Sequence, residues 1–297
     1  MKRDIINLYA LKTYGEVGPR TLFSLLFRYG NVGEVLKASS EDLIEIRGIS
    51  DKKARKIVEA QHNLESAETD LKLIKDAGIK YVSILDKNYP ERLKRISDPA
   101  LILFYRGKFP PAEMQAIAVV GTTKATEPGI AAAVQISKML SKNKISVISG
   151  MAAGIDASAH LGTLKENGYT VGVLGSGLLH IYPEENKALS KMVEKSGCLM
   201  SEYHPDNRVS KGRLISRNRI VVGLSSAVIV VEMSEDSTGT LDAINRAGQQ
   251  GKSCYLFDPL KKIPLEKQSE FGLVCFESVD QLESMLEFIL IDNEQEI

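Results

Sequence analysis

The sequence predicts a small helical part at the N-terminus, followed by a doubly wound α/β part with a mostly parallel sheet. From about residue 79 onward, short apolar runs alternate with segments of helical periodicity, which is the pattern of β-α-β units. Runs such as AIAVV and AVIVV are apolar without alternation, as strands covered on both faces must be. Before residue 66, apolar residues recur at helical spacing between glycine turns, which indicates a separate helical domain.

The composition is that of a globular protein with a sizeable core. Of 297 residues, 43% are hydrophobic and 26% charged, and this length suggests two units. Lys plus Arg equals Asp plus Glu at 38 each, so there is no overall basic field to hold a nucleic acid. No apolar run reaches the length of a signal sequence or a membrane span, and we expect a cytoplasmic protein without a membrane partner. The three cysteines lack the spacing of a zinc site, and no metal site is predicted.

We expect three segments: a helical domain at 1–65, a connecting segment at 66–112 and an α/β domain at 113–297. In the first, a glycine turn at 48–50 and a helix starting at Asp51 resemble a helix-hairpin-helix, and a segment around Gly18 has the same rhythm. Such hairpins direct turn amides at a phosphate without reading bases. The accessory nucleic-acid contacts predicted here are Arg47, Lys52, Lys53 and Lys56, and we expect the three lysines to be exposed. A helical bundle that docks only proteins is the alternative.

The strands and helices follow from the apolar runs and the segments between them. Strands are predicted at 79–85, 101–105, 116–120, 145–149, 169–174, 198–202, 226–232, 252–257 and 273–277. Helices of the α/β domain are predicted at 129–142, 155–167, 184–196, 213–224, 239–250 and 279–290.

The loops that follow the strands carry the candidate chemistry, because ligands of a doubly wound sheet bind beyond the carboxyl ends of its strands. Three of these loops combine glycine with a following helix N-terminus, which suits an anion. Their candidate residues are Gly121, Thr122, Lys124, Ser149, Gly150, Thr238, Gly239 and Thr240. Each turn alone could be an ordinary strand-to-helix connection, but several on one edge favour a phosphate site. The spacings of a dinucleotide-binding loop and of a P-loop are absent.

The segment SRNRIVVGLS adds two guanidinium groups to this edge. Arg217 and Arg219 flank Asn218 at the start of an apolar helix, and a planar guanidinium binds oxyanions in bidentate fashion. These arginines could instead form structural ion pairs with Glu202 or Glu232, which also end strands.

Several motifs in order resemble the DprA/Smf family of DNA-processing proteins. They are NYPERLKRISDPALILFYRG, SGMAAGID, VLGSGLLHIYP, SEYHP, SRNRIVVGLS, VVE and STGTLDA. The resemblance implies an extended Rossmann-like domain that binds single-stranded DNA and loads a RecA-type recombinase in natural transformation or recombination. It also implies a homodimer, no catalytic residues and no cofactor. Its phosphate-binding residues would be Gly121, Thr122, Ser149, Gly150, Arg217, Asn218, Arg219, Thr238 and Gly239.

The sequence departs from that family's pattern at several positions of the proposed edge. Thr123 stands where the family has the arginine of Gly-Ser-Arg, with Lys124 as a substitute, and Ala153 stands where many members have a basic residue. Nothing after residue 290 resembles the winged helix that many members append. The alternative function is nucleotide binding or N-glycosidic cleavage, as in phosphoribohydrolases of the same superfamily, with Glu232 or Asp156 as the catalytic carboxylate.

Overall fold

The structure is a computed structural model that describes residues 3–233, 237–260 and 265–291. Contacts divide it into two units. The first holds the described residues up to Lys87 together with Ser97–Leu103, and the second holds Asn88–Ile96 and the described residues from Phe104 onward. The segment boundaries predicted after residues 65 and 112 stay predictions. No helix of the described residues is both long enough and apolar enough to cross a bilayer.

The first unit is mainly helical. Its helices bury leucine and isoleucine side chains against one another, with Leu8, Leu22, Ile57 and Leu71 fully buried. After the last helix a single strand begins, and the backbone N–H of Ile84 donates to the carbonyl of Leu101. The elements are α1 (Arg3–Thr13), α2 (Pro19–Tyr29), α3 (Val32–Val35), α4 (Ser40–Ile44), α5 (Asp51–His62), α6 (Leu64–Asp76) and β1 (Lys80–Ser83).

The turn between α4 and α5 has the local features that the sequence predicts. Gly48 has a φ of +92°, a conformation that other residues rarely adopt. Ser50 then caps α5, because its hydroxyl accepts a hydrogen bond from the backbone N–H of Lys53. Ala54 and Ile57 of α5 are buried, so this face of the helix points into the unit.

The second unit alternates strands and helices. Its strands are β2 (Ile102–Gly107, which begins in the first unit), β3 (Ala116–Val120), β4 (Ser146–Ser149), β5 (Thr170–Val173), β6 (Cys198–Ser201), β7 (Ala227–Val230), β8 (Cys254–Phe257) and β9 (Leu273–Phe276). Its α-helices are α7 (Glu91–Lys94), α8 (Glu127–Lys142), α9 (Ile155–Lys165), α10 (Lys187–Ser196, preceded by a 3₁₀ turn at Glu184–Asn186), α11 (Lys211–Ser216), α12 (Asn218–Gly223), α13 (Thr238–Gln249), α14 (Leu265–Phe271) and α15 (Val279–Ile291).

The strands of the second unit follow the order β2-β6-β5-β4-β3-β7-β8-β9. All neighbours pair in parallel except β2, which pairs antiparallel with β6. The chain adds β4, β5 and β6 on one side of β3 and then crosses to the other side for β7. Strand order therefore reverses beside β3, and this is the crevice where doubly wound sheets bind their ligands.

The predicted fold class is confirmed, and all nine predicted strands are present. Three helices differ from the prediction, and one of them is the short α7, which was not predicted. The helix expected at 213–224 is divided into α11 and α12 at Arg217, whose backbone keeps helical angles. Helix α14 was not predicted, because the prolines and charges around it are typical of a loop.

Candidate nucleic-acid interface

The predicted loops meet at the carboxyl edge of the sheet. Because β3 pairs with both β4 and β7, the loops that begin at Gly121, Gly150 and Val231 are neighbours. Residues Ser234, Glu235 and Asp236 of the last loop lie outside the described residues. The structure thus brings together the glycine-rich turns that the sequence placed on one edge.

The loop after β3 is closely packed at its start. A Cβ added to Gly121 would lie 2.6 Å from Cγ1 of Ile155 and 2.7 Å from the carbonyl oxygen of Glu232, so only glycine fits there. Thr122 is buried, and its backbone N–H donates to the carbonyl of Glu232 at 2.8 Å. Lys124 is exposed, so its ammonium group is the cation of this loop that reaches solvent.

A carboxylate of the chain itself occupies the N-terminus of α8. Oε2 of Glu232 accepts hydrogen bonds from the backbone N–H of Thr126 at 2.9 Å and from the Thr126 hydroxyl at 3.3 Å. A Cβ added to Gly129 would collide with the same oxygen. A negative group at this position is stabilised by the helix dipole. The first of the predicted anion sites is therefore filled from within.

The turn after β4 is filled in the same way by Asp156. Its Oδ2 accepts hydrogen bonds from the backbone N–H groups of Gly150 at 3.0 Å and Ala152 at 3.3 Å. Ser149 is fully buried, and its hydroxyl donates to the carbonyl of Val119 at 2.7 Å. Burial raises the pKa of Asp156, while attraction to Arg217 and the backbone hydrogen bonds act in the opposite direction.

Arg217 lies inside the fold rather than on the open edge. Its side chain is 5% exposed, and Nη1 donates to the carbonyl of Val173 at 2.9 Å. A Cβ added to Gly150 would overlap that Nη1, so the glycine makes room for the guanidinium. Burial lowers the pKa of Arg217, and attraction to Asp156 raises it. Arg217 thus links the ends of β4 and β5.

Arg219 is likewise buried, at 6% exposure, and forms a bidentate ion pair with Glu202. Nη2 of Arg219 lies 2.6 Å from Oε2 of Glu202, and Nη1 contacts Oε1. Of the two structural partners that the sequence offered, Glu202 is therefore the one that Arg219 uses. Its charge is balanced within the protein.

The start of α13 is the more open part of the edge. Thr238 and Gly239 are exposed, whereas Thr240 is buried. The amide of Asn218 donates to the carbonyl of Gly239 and to Oδ2 of Asp242, both at 3.0 Å, and so fixes this helix start. The side chain of Ser237 does not cap α13. Since first-turn amides have no acceptor within their own helix, this N-terminus suits an anion.

In the first unit, the predicted basic contacts fall into two groups. Arg47 and Lys52 are exposed. Lys53 and Lys56 are half-buried, because Nζ of Lys53 donates to the backbone carbonyl of Glu16 and Nζ of Lys56 to its carboxylate. The hydrogen bond from Lys56 lowers the pKa of Glu16. The expectation of full exposure was wrong for these two lysines, and their contacts join α5 to the turn between α1 and α2.

Sequence reasoning missed the roles of three carboxylates: Glu16, Asp156 and Glu232. Each accepts hydrogen bonds at a position where the sequence suggested a phosphate or a contact to one. The sequence shows only that these acidic residues lie near strand ends or helix starts. Which acid reaches which amide depends on packing between segments that are distant in the sequence.

Comparison with known proteins identifies matches over most of the chain. A family model described as "DNA recombination-mediator protein A" matches residues 80–270, and a model of a SAM-like helix-hairpin-helix tandem matches residues 11–61. The Smf protein of Synechocystis sp. is 34% identical over 76% of this chain and 58% of its own length. The DNA processing protein DprA of Bacillus subtilis is 33% identical over 72% of this chain and 73% of its own length.

Solved structures of similar proteins share the fold. The structure of DNA processing protein A from Streptococcus pneumoniae has a TM-score of 0.80 and 26% identity, covering 96% of this chain and 98% of that one. The corresponding protein from Helicobacter pylori, whose single-stranded DNA binding mode has been described, has a TM-score of 0.61 and 23% identity over 70% of this chain and 95% of that one. At that identity the second match shows the fold alone.

Proposed function

Because this chain belongs to the DprA/Smf family of DNA-processing proteins, we propose that it binds single-stranded DNA without base preference and acts in natural transformation or recombination. The observation that carries the proposal is the exposed first turn of α13, at Thr238 and Gly239, beside the point where strand order reverses. Exposed Thr238 and Gly239 offer backbone amides there, and Lys124 of the loop after β3 offers a cation. These groups recognise phosphates and not bases.

The buried arginines have a different task in this proposal. Arg217 and Arg219 hold the ends of the strands and the loops in place through Val173 and Glu202. The phosphates are instead held by amides, hydroxyls and Lys124, with further contacts from Arg47 and Lys52 of the hairpin. The other predicted residues of the edge shape it through packing and hydrogen bonds; they are Gly121, Thr122, Ser149, Gly150, Asn218 and Thr240.

A salt titration tests this function directly. Fluorescence anisotropy is measured with a labelled oligo-dT, the matched duplex and a mononucleotide at several salt concentrations. We expect the single strand to bind most tightly, with an affinity that falls steeply as salt rises. The Helicobacter pylori protein, which has the same fold, binds single-stranded DNA, and this makes the single strand the first ligand to test. Preference for the duplex, or binding of the mononucleotide alone, contradicts the proposal.

The proposed partners are a RecA-type recombinase and a second copy of the chain, in the cytoplasm. The family resemblance supports both, since its members are typically dimers that load the recombinase onto single strands. Analytical ultracentrifugation should give twice the chain mass. RecA filaments should form faster on DNA that is covered by single-strand binding protein when this protein is added. A monomer at all concentrations, or no acceleration, would reject the corresponding partner.

We propose binding without catalysis. N-glycosidic cleavage needs a carboxylate that can approach the reacting sugar, but Asp156 is 7% exposed and bonded to two amides, and Glu232 is bonded to Thr126. Purified protein should release no free base from nucleoside monophosphates or NAD, as followed by chromatography. Turnover that Glu232→Gln or Asp156→Asn abolishes would establish the enzymatic alternative instead.

A further inference from the structure

Helix α2 presents two phenylalanines to solvent. Phe27 is 96% exposed, the highest value among the exposed large apolar side chains of the described residues, and Phe23 is 43% exposed. The opposite face of α2 provides the core contacts through Leu22 and Leu25, which are fully buried. The two phenylalanines are four residues apart, so they are neighbours on one helix face, with Cβ atoms roughly 5–6 Å apart. They therefore contribute little to the core of this unit.

Basic side chains accompany both rings. Arg20 lies three residues before Phe23 on the same face, and Arg28 directly follows Phe27. Both arginines are exposed, and Arg28 approaches Glu45 only at 3.8 Å in a solvent-exposed pair. Such a pair is weak and can be exchanged for another anion. Scattered single apolar residues are ordinary on surfaces, but two aromatic rings bracketed by two guanidinium groups form a patch with mixed chemistry.

The patch is continuous with both hairpin turns. Helix α2 begins at Pro19, directly after the first turn, so Arg20 lies beside that turn. The pair of Arg28 with Glu45 brings the other end of α2 close to the end of α4, three residues before Gly48 of the second turn. A DNA strand whose phosphates contact the backbone amides of either turn can therefore place its bases over the two phenylalanine rings.

We propose that the exposed face of α2 is a stacking platform for single-stranded DNA, with consecutive bases on Phe23 and Phe27 and phosphates beside Arg20 and Arg28. The inference rests on the proposed single-strand binding and adds a second contact region to it. Every base has a face that can stack on an aromatic ring, so this contact tolerates any sequence. The charges favour a polyanion as the occupant, because both ends of the aromatic pair carry a cation.

Photo-crosslinking tests the stacking contact itself. An oligo-dT that contains 5-iodouracil is bound to the full-length protein and irradiated, and the protein is then digested with trypsin. Cleavage after Arg20 and Arg28 gives one peptide, residues 21–28, that holds both phenylalanines. We expect the DNA adduct on this peptide, at Phe23 or Phe27. Adducts found only on other peptides overturn the inference.

Affinity measurements with matched variants provide the second test. Phe23→Ala with Phe27→Ala should weaken binding of oligo-dT by about tenfold or more, and leucine at both positions should weaken it nearly as much, because leucine keeps apolar area without a ring. Leu73→Ala is the control, since Leu73 is 61% exposed on α6 of the same unit. Circular dichroism should show all variants folded.

The outcomes separate this inference from the proposed function. If the unmodified protein does not bind oligo-dT, the proposed function fails. If it binds and the double alanine variant binds equally well, the proposed function stands and the stacking platform is overturned. Equally weakened binding in the phenylalanine variants and in Leu73→Ala would also overturn it, because the effect would then be a general one.

Discussion

Several cations of the helical unit and the two arginines of the sheet edge have opposite surroundings. Arg20, Arg47 and Lys52 of the hairpins are exposed to solvent. Arg217 and Arg219 of the sheet edge are 5% and 6% exposed and are bonded to groups of their own unit. The sequence of the sheet edge carries the motifs that resemble the DprA/Smf family, whereas the cations of the hairpins are more accessible to solvent.

This difference shows that burial decides whether an arginine forms a structural contact within the protein or remains available to a phosphate. A buried guanidinium must be paired, because an uncompensated buried charge is costly, and Glu202 already provides a partner for Arg219. An exposed cation can exchange water or a weak partner for a phosphate. We therefore expect the charge contribution to DNA binding to come mainly from the hairpins, and the amide contribution from the start of α13.

Removing a sheet-edge arginine should have the largest effect, and the effect should be on stability. Arg219→Ala leaves Glu202 without its partner in a nearly buried position, so the free energy of unfolding should fall by about 3–5 kcal/mol. Urea denaturation measures this change. Arg47→Ala is the control and should stay within about 0.5 kcal/mol of the parent. An Arg219→Ala protein with unchanged stability but no DNA binding would break the comparison, because Arg219 would then be a ligand group.

The second effect is a pH dependence of stability, and it comes from a buried histidine of the sheet unit. His160 is fully buried, its Nδ1 lies 2.7 Å from Oγ1 of Thr170, and burial lowers its pKa to about 3. The unfolded chain takes up a proton near the ordinary histidine pKa of about 6.5, and the folded chain does not. Stability from this group is therefore complete above pH 6.5 and is lost as the pH falls towards 3.

Because of this proton uptake, the free energy of unfolding should fall by about 2 kcal/mol between pH 7.5 and pH 5. Thermal or urea unfolding at both pH values measures it. In His160→Gln the difference in the free energy of unfolding between the two pH values should shrink by about that amount. Equal pH dependence in the His160 variant and its parent would show that another group is responsible.

The salt dependence of DNA binding compares the two regions directly. For single strands, the slope of log affinity against log salt changes by about 0.7 for each phosphate that the protein no longer neutralises. Arg47→Ala with Lys52→Ala should therefore reduce the slope by about 1.4, and Lys124→Ala by about 0.7. Anisotropy titrations at four or more salt concentrations give the slopes. A larger change for Lys124→Ala than for the hairpin pair would reverse our ranking of the regions.

The smallest effect should come from the carboxylate at the start of α8. Glu232→Gln keeps an oxygen that can accept from Thr126 but removes a negative charge from the proposed phosphate edge. We expect oligo-dT to bind about two- to fivefold more tightly and the fold to lose about 0.3–1 kcal/mol, because the helix dipole no longer meets an anion. Anisotropy and urea denaturation measure the two changes. Weaker DNA binding in this variant would argue against an internal anion at the edge.

Much of the fold could be predicted because its signals are local. The apolar runs at β3 and β7, the glycine turn at 48–50 and the helix that starts at Asp51 are each encoded within a few consecutive residues. The division between α11 and α12 could not be predicted, since the segment around Arg217 has the pattern of one helix. Helix α14 is short and is preceded by Pro259 and Pro264, and local propensity did not reveal it.

The candidate site could be predicted only as a set of loops. Gly121, Gly150 and Gly239 follow strands or begin helices, and the alternation of strands and helices places them on one edge. Whether a charged side chain at this edge faces solvent could not be inferred from the residue type. Arg219 and Lys124 are both basic residues predicted to lie at this edge, yet one is buried in an ion pair and the other is exposed.

The sequence by itself determined the order of elements, the position of the turns and the family to which the chain belongs. Only the tertiary structure decided the partner of each charged side chain, because each contact joins segments that are distant along the chain. Arg219 reaches Glu202 across 17 positions, Arg217 reaches Val173 across 44, and Glu232 reaches Thr126 across 106. Such contacts depend on strand order and on which side chains packing turns inward, and these are properties of the folded sheet rather than of any local segment.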